Sequence, residues 1–123
     1  MPDLFYRIRL FFFNIEVARR RHRFQRYIDK RKDNLAGADL SYLDLSRLDL
    51  RDADMREVDL RRSDLSRTDL RGANLEGANL ARTILYEADL REARLVGADV
   101  TLLQLSQAKS LKGTTMPDGT VHG

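Results

Sequence analysis

Acidic residues recur at a regular spacing in this sequence, and paired carboxylates can act as general acid and base. The chain has 19 Asp and Glu among its 123 residues. Between residues 33 and 100, Asp or Asn fills 12 of 14 equivalent positions spaced five residues apart. The repeat itself explains carboxylates that recur in this way, so their abundance does not indicate a catalytic pair. We therefore predict that the protein is not an enzyme.

Other reactive side chains are scarce. The chain has no cysteine, which excludes disulfides, thiolate metal sites and cysteine nucleophiles. His22 and His122 lie near opposite ends of the sequence, so we expect neither a metal site nor an acid–base pair. No glycine-rich phosphate-binding motif is present. The sequence therefore predicts no cofactor, no metal and no small-molecule substrate.

An apolar residue occurs at every fifth position between residues 33 and 100. Its 14 occurrences are Leu35, Leu40, Leu45, Leu50, Met55, Leu60, Leu65, Leu70, Leu75, Leu80, Leu85, Leu90, Leu95 and Val100. Five residues advance an α-helix by about 500°, so this column would wander around a helix. In a flat strand, an odd period would place successive leucines on opposite faces. Neither regular element fits the pattern.

The pattern fits a chain that bends once in every five residues. The leucine and the mostly small residue two positions before it then point inward, while the Asp or Asn between them points outward. The next two residues form a corner. Repeated corners wind the chain into a solenoid with leucine inside, and each unit depends on its stacked neighbours for stability.

Several units resemble the pentapeptide-repeat family, whose pattern is A(D/N)LXX. They are Ala38-Asp39-Leu40, Ala73-Asn74-Leu75-Glu76-Gly77 and Ala78-Asn79-Leu80. The resemblance implies an all-β solenoid, a right-handed quadrilateral β-helix with four units per coil. Residues 33–100 would form about 3.5 coils, separated by roughly 4.8 Å. Leu43 and Leu48 occupy positions that are normally small, so we expect the first coil to be irregular.

Residues 1–32 form a basic segment whose apolar residues recur at helical spacing, which predicts one long amphipathic helix over residues 3–32. The segment has a net charge of +7, against −5 for residues 33–100 and +1 for residues 101–123. Its candidate interaction residues are three aromatics and three arginines, namely Phe11, Phe12, Phe13, Arg19, Arg20 and Arg21.

Three roles remain open for this helix. It could cap the N-terminal end of the solenoid core, lie on a membrane surface, or dock to a protein partner or a second copy of the chain. Its apolar run, from Leu4 to Ala18, is interrupted by Arg7 and Arg9 and is shorter than the roughly 20 residues that a membrane span requires. We expect a cytoplasmic protein, with peripheral membrane contact as one alternative.

Four units per coil would stack residues that are 20 positions apart. Arg51, Arg71 and Arg91 would then form a column beside Asp49, Asp69 and Asp89, which predicts a solvated, salt-bridged wall. Another column places Ile84 where Asp44 and Asp64 precede it, with Tyr86 nearby. Ile84 and Tyr86 are therefore the candidate contact residues on the coil.

Residues 101–123 depart from the repeat. Thr101 and Gln104 have the spacing of a capping box, which predicts a short helix to about Leu111 with Leu102, Leu105 and Ala108 on the last coil. Gly113 would end this helix. One further strand at Leu105 is the alternative. Residues 111–120 are similar to terminal segments of bacterial pentapeptide-repeat proteins, so we expect the domain to end here.

These features favour a non-catalytic scaffold or adaptor that binds protein partners. The family resemblance suggests a second hypothesis, a DNA mimic that binds DNA gyrase. It is disfavoured because the coil is short and ten arginines interrupt its acidic surface. Nucleic-acid binding through the basic N-terminal helix is a third hypothesis. It is disfavoured because phenylalanines among the basic residues indicate a packed helix.

Overall fold

The computed structural model describes residues 25–26 and 28–123, which wind into a four-sided coil. Single-residue parallel bridges join positions that are 20 residues apart, so each turn of the chain stacks on the one before. We name the four sides by their bridged residues: wall A (Asp39, Asp59, Asn79, Asp99), wall B (Asp44, Asp64, Ile84), wall C (Asp49, Asp69, Asp89, Ser110) and wall D (Asp54, Asn74, Arg94, Thr115). Within the described residues the bridges do not extend into longer strands.

The leucine column fills the interior of the coil, as the repeat predicts. From Leu35 to Leu95 every member is at most 3% exposed, and Val100 is half-buried at the C-terminal end. From Ala38 onward, the residues two positions earlier are also buried, including Ala73 and Ala88. One continuous apolar core therefore runs along the axis of the coil, which is the main source of stability in a stacked repeat.

The corners of the coil are tight turns with a positive φ at the fifth residue of each unit. This residue is a glycine in some units, such as Gly72 at +69°, and an ordinary residue in others, such as Arg82 at +59°. Most of these turns are closed by a bond from the backbone N–H of the next small residue to the leucine carbonyl, as from Ala53 to Leu50 at 3.2 Å. A positive φ at this position is the feature of a type II turn.

The N-terminal end of the coil is covered by the chain that precedes it. Residues 25–26 and 28–29 are α-helical, and a 3-10 helix spans Lys32–Asn34. Ile28 is 1% exposed and belongs to the core. Most of the helix predicted over residues 3–32 lies outside the described residues. No helix in the described part of the chain is long and apolar enough to cross a membrane.

The C-terminal region differs from the prediction in two ways. The helix spans Leu102–Ser106, with the predicted capping box at Thr101, and ends before Leu111. Leu105 is buried and Ala108 is partly buried against the core, but Leu102 is 76% exposed, so its predicted place on the last coil is wrong.

Bridges also continue the coil beyond Val100, the last apolar residue of the five-residue repeat described above. Ser110 bridges Asp89 and Thr115 bridges Arg94, which brings the coil to about four turns. These bridges join residues 21 positions apart, because the helix adds one residue to the spacing. Gly113, with a φ of +74°, forms a corner of this last turn and does not end the helix.

A short reversal closes the C-terminal end of wall D. The turn predicted at residues 116–119 is present, with the Gly119 N–H donating to the Met116 carbonyl at 2.9 Å. The chain then doubles back, and Val121 forms an antiparallel bridge with Thr115. The backbone edge that wall D would otherwise expose at this end is paired with the chain's own tail.

Candidate interaction surface

Two glutamine side chains pair with backbone edges at opposite ends of the coil. The Gln25 amide donates to the Asp49 carbonyl at 3.0 Å and accepts from the Asp49 N–H at 2.7 Å. The Gln104 amide donates to the carbonyls of Leu80 and Thr83 at 2.7 and 2.9 Å. Unpaired backbone edges are templates for association with another chain. These contacts pair backbone groups at both ends of the coil within the chain itself.

Wall C carries the predicted ladder of arginine–aspartate pairs. Arg71 binds Asp69 through two bonds, of 2.9 and 2.7 Å, and also approaches Asp89 of the next coil at 3.8 Å. The hydrogen bond from the Arg51 side chain lowers the pKa of Asp49 to about 2. The equivalent bonds from Arg71 and Arg91 lower the pKa of Asp69 and of Asp89. Wall C is therefore neutralised within the protein.

The position of an arginine within its five-residue unit determines whether it joins such a pair. The fourth-position arginines, which directly follow the buried apolar residue, all bind the Asp of their own unit through two bonds: Arg51, Arg56, Arg61, Arg71 and Arg91. The fifth-position arginines have a positive φ, and within the described residues none of them is paired with an Asp of its own unit: Arg47, Arg62, Arg67 and Arg82. The unit of Arg82 has Asn79 at this position.

Wall B presents exposed apolar side chains in place of a ladder. Ile84 and Tyr86, the candidate contact residues on the coil, are 51% and 48% exposed. Leu103 of the C-terminal helix is 75% exposed and lines the same shallow groove, together with Gln107. The guanidinium of Arg67 lies 5.8 Å from the centre of the Tyr86 ring. The three apolar side chains form one patch at the C-terminal end of wall B.

Leu103 is a member of this patch that the sequence reasoning missed. A signal was available, because Gln104 lies 20 residues after Ile84 and a helix at that position takes the place of the next unit of wall B. The other candidate residues, Phe11, Phe12, Phe13, Arg19, Arg20 and Arg21, lie outside the described residues. Among the residues that the structure describes, no cluster of His, Cys, Asp and Glu could hold a metal ion.

Comparison with known proteins identifies the repeat. The family model for pentapeptide repeats matches residues 34–72 and 63–107, with eight copies. The chain belongs to the pentapeptide-repeat family, which confirms the resemblance seen in the sequence and gives the coil its class, the right-handed quadrilateral β-helix. No curated protein sequence matches the chain significantly.

Solved structures of other pentapeptide-repeat proteins are similar to this chain. HetL of the cyanobacterium Nostoc sp. strain PCC 7120, which is involved in regulation of heterocyst differentiation, is 40% identical over 71% of this chain, with a TM-score of 0.51. The match spans 40% of HetL. The protein alr5209 from the same cyanobacterium is 34% identical over 76% of this chain and 71% of its own, with a TM-score of 0.48.

A further similar structure is that of QnrB1, a plasmid-mediated fluoroquinolone resistance protein. It is 29% identical over 54% of this chain and 38% of its own, with a TM-score of 0.31.

Proposed function

We propose that the protein is a non-catalytic scaffold or adaptor that binds a protein partner through wall B. The observation that carries this proposal is the patch of Ile84, Tyr86 and Leu103 on that wall. Ile84 occupies a position where the other two units of wall B have an outward carboxylate, and its side chain is half exposed. Clustered exposed apolar side chains with a polar border are typical of interaction sites.

The coil suits this role because it holds the patch on a rigid support. Each wall is tied to the coils above and below by backbone bonds, as from Leu65 to the Ile84 carbonyl at 2.8 Å. Binding to a preformed surface costs less conformational entropy than binding to a mobile one. The neutralised ladder of wall C has no comparable apolar residues.

The N-terminal segment has two proposed roles within this function. Its part nearest the coil acts as a cap, which is supported by the burial of Ile28 and by the bonds of Gln25 to Asp49. Residues 1–24, which contain most of the basic charge, dock to the partner, to a second copy or to a membrane surface. HetL is involved in the regulation of heterocyst differentiation, and a regulatory process is one setting for such an adaptor. DNA mimicry has less support, since paired arginines neutralise wall C.

Site-specific photocrosslinking tests this proposal. A benzophenone amino acid replaces Tyr86 on wall B, Phe12 in the N-terminal segment, or Val96 at the corner between walls D and A. The full-length chain is expressed in its native cells and illuminated. We expect discrete protein adducts from position 86 and none from position 96. Adducts from position 12 alone would place docking in the N-terminal segment, and the absence of adducts at every position would contradict the scaffold role.

A further inference from the structure

Charge is distributed unevenly among the fifth-position corner residues. All four arginines at this position lie along the two edges of wall B. Arg62 and Arg82 lie at the edge shared with wall A, while Arg47 and Arg67 lie at the edge shared with wall C. Tyr42 and Glu87 complete these two edges. Wall B is therefore bordered on both sides by basic residues.

Wall D, on the opposite side of the coil, has no basic residues at the fifth positions along its edges. The fifth positions along the two edges of wall D contain glycine or an acidic residue: Gly37, Asp52, Glu57, Gly72, Gly77, Glu92, Gly97 and Gly113. None of these residues is basic. The edges of wall B therefore carry four arginines and one glutamate, whereas the edges of wall D carry three acidic residues and no basic one. The exposed patch of Ile84, Tyr86 and Leu103 lies on the wall with the basic edges.

The cations beside wall B are largely uncommitted. Within the described residues, Arg47, Arg62 and Arg82 form no ion pair, and Arg67 approaches Glu87 at 3.8 Å. Arg62 lies 6.0 Å from the centre of the Tyr42 ring. Arg61, which precedes Arg62, is held by Asp59. Guanidinium groups that lack an internal carboxylate are suited to bidentate binding of an external one.

The centre of wall B distinguishes among anionic partners. Asp64 lies between the two basic edges, and its side chain accepts a bond from the Ser66 N–H at 2.8 Å. Charge thus alternates across the wall, with a carboxylate between two lines of cations. A nucleic acid or an anionic membrane has only negative charge and would be repelled by this carboxylate. A protein segment can place carboxylates over both edges, a hydrogen-bond donor over the centre and an apolar side chain on Ile84.

We propose that wall B binds an acidic protein segment that contains an apolar anchor residue. Its carboxylates pair with the fifth-position arginines, and its anchor packs in the groove of Ile84, Tyr86 and Leu103. Long-range attraction by the basic edges speeds the encounter, and the apolar contact slows dissociation. This inference rests on the proposed scaffold function and adds the chemistry of the partner.

Selection from a phage-displayed library of random peptides tests the partner class directly. Peptides are selected on the full-length chain, and their affinities are measured by fluorescence anisotropy. Arg62→Glu with Arg82→Glu changes the basic edge, while Lys32→Glu with Lys112→Glu makes the same change in net charge away from wall B. Ile84→Asp removes the anchor site and restores the residue type of the repeat, so this variant should fold.

We expect selected peptides to be enriched in Asp and Glu around an apolar residue. Their affinity should fall by about tenfold or more in the Arg62/Arg82 and Ile84 variants, and by less than about twofold in the lysine control. Peptides without acidic enrichment, or an equal loss in the control, would overturn the proposal. If the glutamate pair perturbs folding, Arg62→Gln with Arg82→Gln removes the charge without adding a new one.

Two further probes test the rejected partner classes. A fluorescent single-stranded oligonucleotide and phosphatidylserine vesicles are titrated with the same variants. We expect the Arg62/Arg82 variant to bind both probes as the lysine control does. A selective loss of oligonucleotide or vesicle binding would overturn the assignment to protein. A crosslinked partner whose contacting segment is basic would also overturn it, yet would leave the scaffold function intact.

Discussion

The Ser63 hydroxyl donates a 2.6 Å hydrogen bond to the carbonyl of Leu40, which lies in the preceding coil. Within the described residues, the turn from Leu40 to Leu43 lacks the N–H to carbonyl bond that closes most other turns, and the Leu43 N–H donates to the Ser63 hydroxyl at 3.3 Å. The side chain of one coil thus replaces a turn bond of the coil below. The next turn, from Leu45 to Leu48, is also open, and the Thr68 hydroxyl donates to its Leu45 carbonyl at 2.8 Å.

This relationship explains the irregular first coil that the sequence predicts. The two open turns end at Leu43 and Leu48, which are larger than the usual alanine. Their bulk in a crowded interior opens the turn, and a hydroxyl 20 residues later supplies the missing donor. A buried carbonyl without a donor is costly, so this replacement matters for stability.

Replacing Thr68 with alanine should therefore destabilise the protein more than the same change at Thr83. Both hydroxyls are buried and donate to a leucine carbonyl in the preceding coil, at 2.8 and 2.6 Å. The Leu60 carbonyl that Thr83 binds also accepts from the Ser63 N–H at 3.1 Å, so it keeps a donor in the variant. We expect a loss of about 1–3 kcal/mol for Thr68→Ala and roughly 1 kcal/mol less for Thr83→Ala, measured by urea unfolding. Equal losses of stability in the two variants would show that the Thr68 hydroxyl does not compensate for the missing turn bond.

The cap formed by Gln25 can be tested in the same way. Gln25→Ala leaves the N–H and carbonyl of Asp49 without their side-chain partner, and we expect a loss of about 1–3 kcal/mol. Amide hydrogen exchange at Asp49 should also accelerate. Arg26→Ala, at the neighbouring exposed position, is the matched control. An unchanged exchange rate at Asp49 would show that the Gln25 pairing does not protect this edge.

Stability should fall at acidic pH because of the arginine–aspartate pairs. Bonds from arginine lower the pKa of Asp49, Asp69 and Asp89 below the ordinary value of 3.8, to about 2 for Asp49. A carboxylate whose pKa is lower in the folded state stabilises that state above its unfolded pKa and loses this effect as pH falls through the folded value. We expect the urea midpoint to decline between about pH 4 and pH 2.

Two measurements sharpen this pH test. Asp69→Asn removes one of the titrating groups, so the decline should be shallower in this variant. High salt should weaken the effect, because exposed ion pairs are screened. A midpoint that stays constant over the acidic range in the natural chain would contradict a stabilising role for the pairs.

Gly37 lies at a corner where an added side chain would meet no neighbouring atom. A substitution there therefore measures the free-energy cost of a positive φ without a steric clash. Gly37 has a φ of +73°, and a Cβ added there would meet nothing within 4 Å. Gly37→Ala should therefore destabilise the protein by about 1 kcal/mol through backbone conformation alone. Gly37→Asn should cost less, since asparagine tolerates this conformation better. Thermal unfolding of the two variants gives the comparison, and equal midpoints would contradict this account.

Much of the fold follows from the five-residue period. The period alone requires one bend in each unit, so it places the leucines inside and the carboxylates outside. It also locates Ile84 as an exception on an outward position, and the structure places that side chain in solvent. Local signals worked where the chemistry is local, as for the capping box of Thr101 and Gln104.

Other features depend on long-range geometry that the pattern does not contain. The last turn of the coil was missed because the helix Leu102–Ser106 shifts the spacing by one residue, and because Ser110 and Thr115 replace the usual Asp or Asn. The pairing of Gln25 with Asp49 requires knowing where the preceding helix ends relative to the first coil. The difference in charge between the edges of walls B and D depends on which corner each fifth-position residue occupies. This assignment requires the structure of the coil.

Ile84 and its neighbours on wall B form the proposed contact with the partner. The most direct measurement is isothermal titration calorimetry of the crosslinked partner, once purified, against the natural chain and Ile84→Asp. We expect the variant to bind at least about tenfold more weakly, while its unfolding midpoint is unchanged. Equal affinities of the two chains for this partner would show that Ile84 is not part of the binding surface.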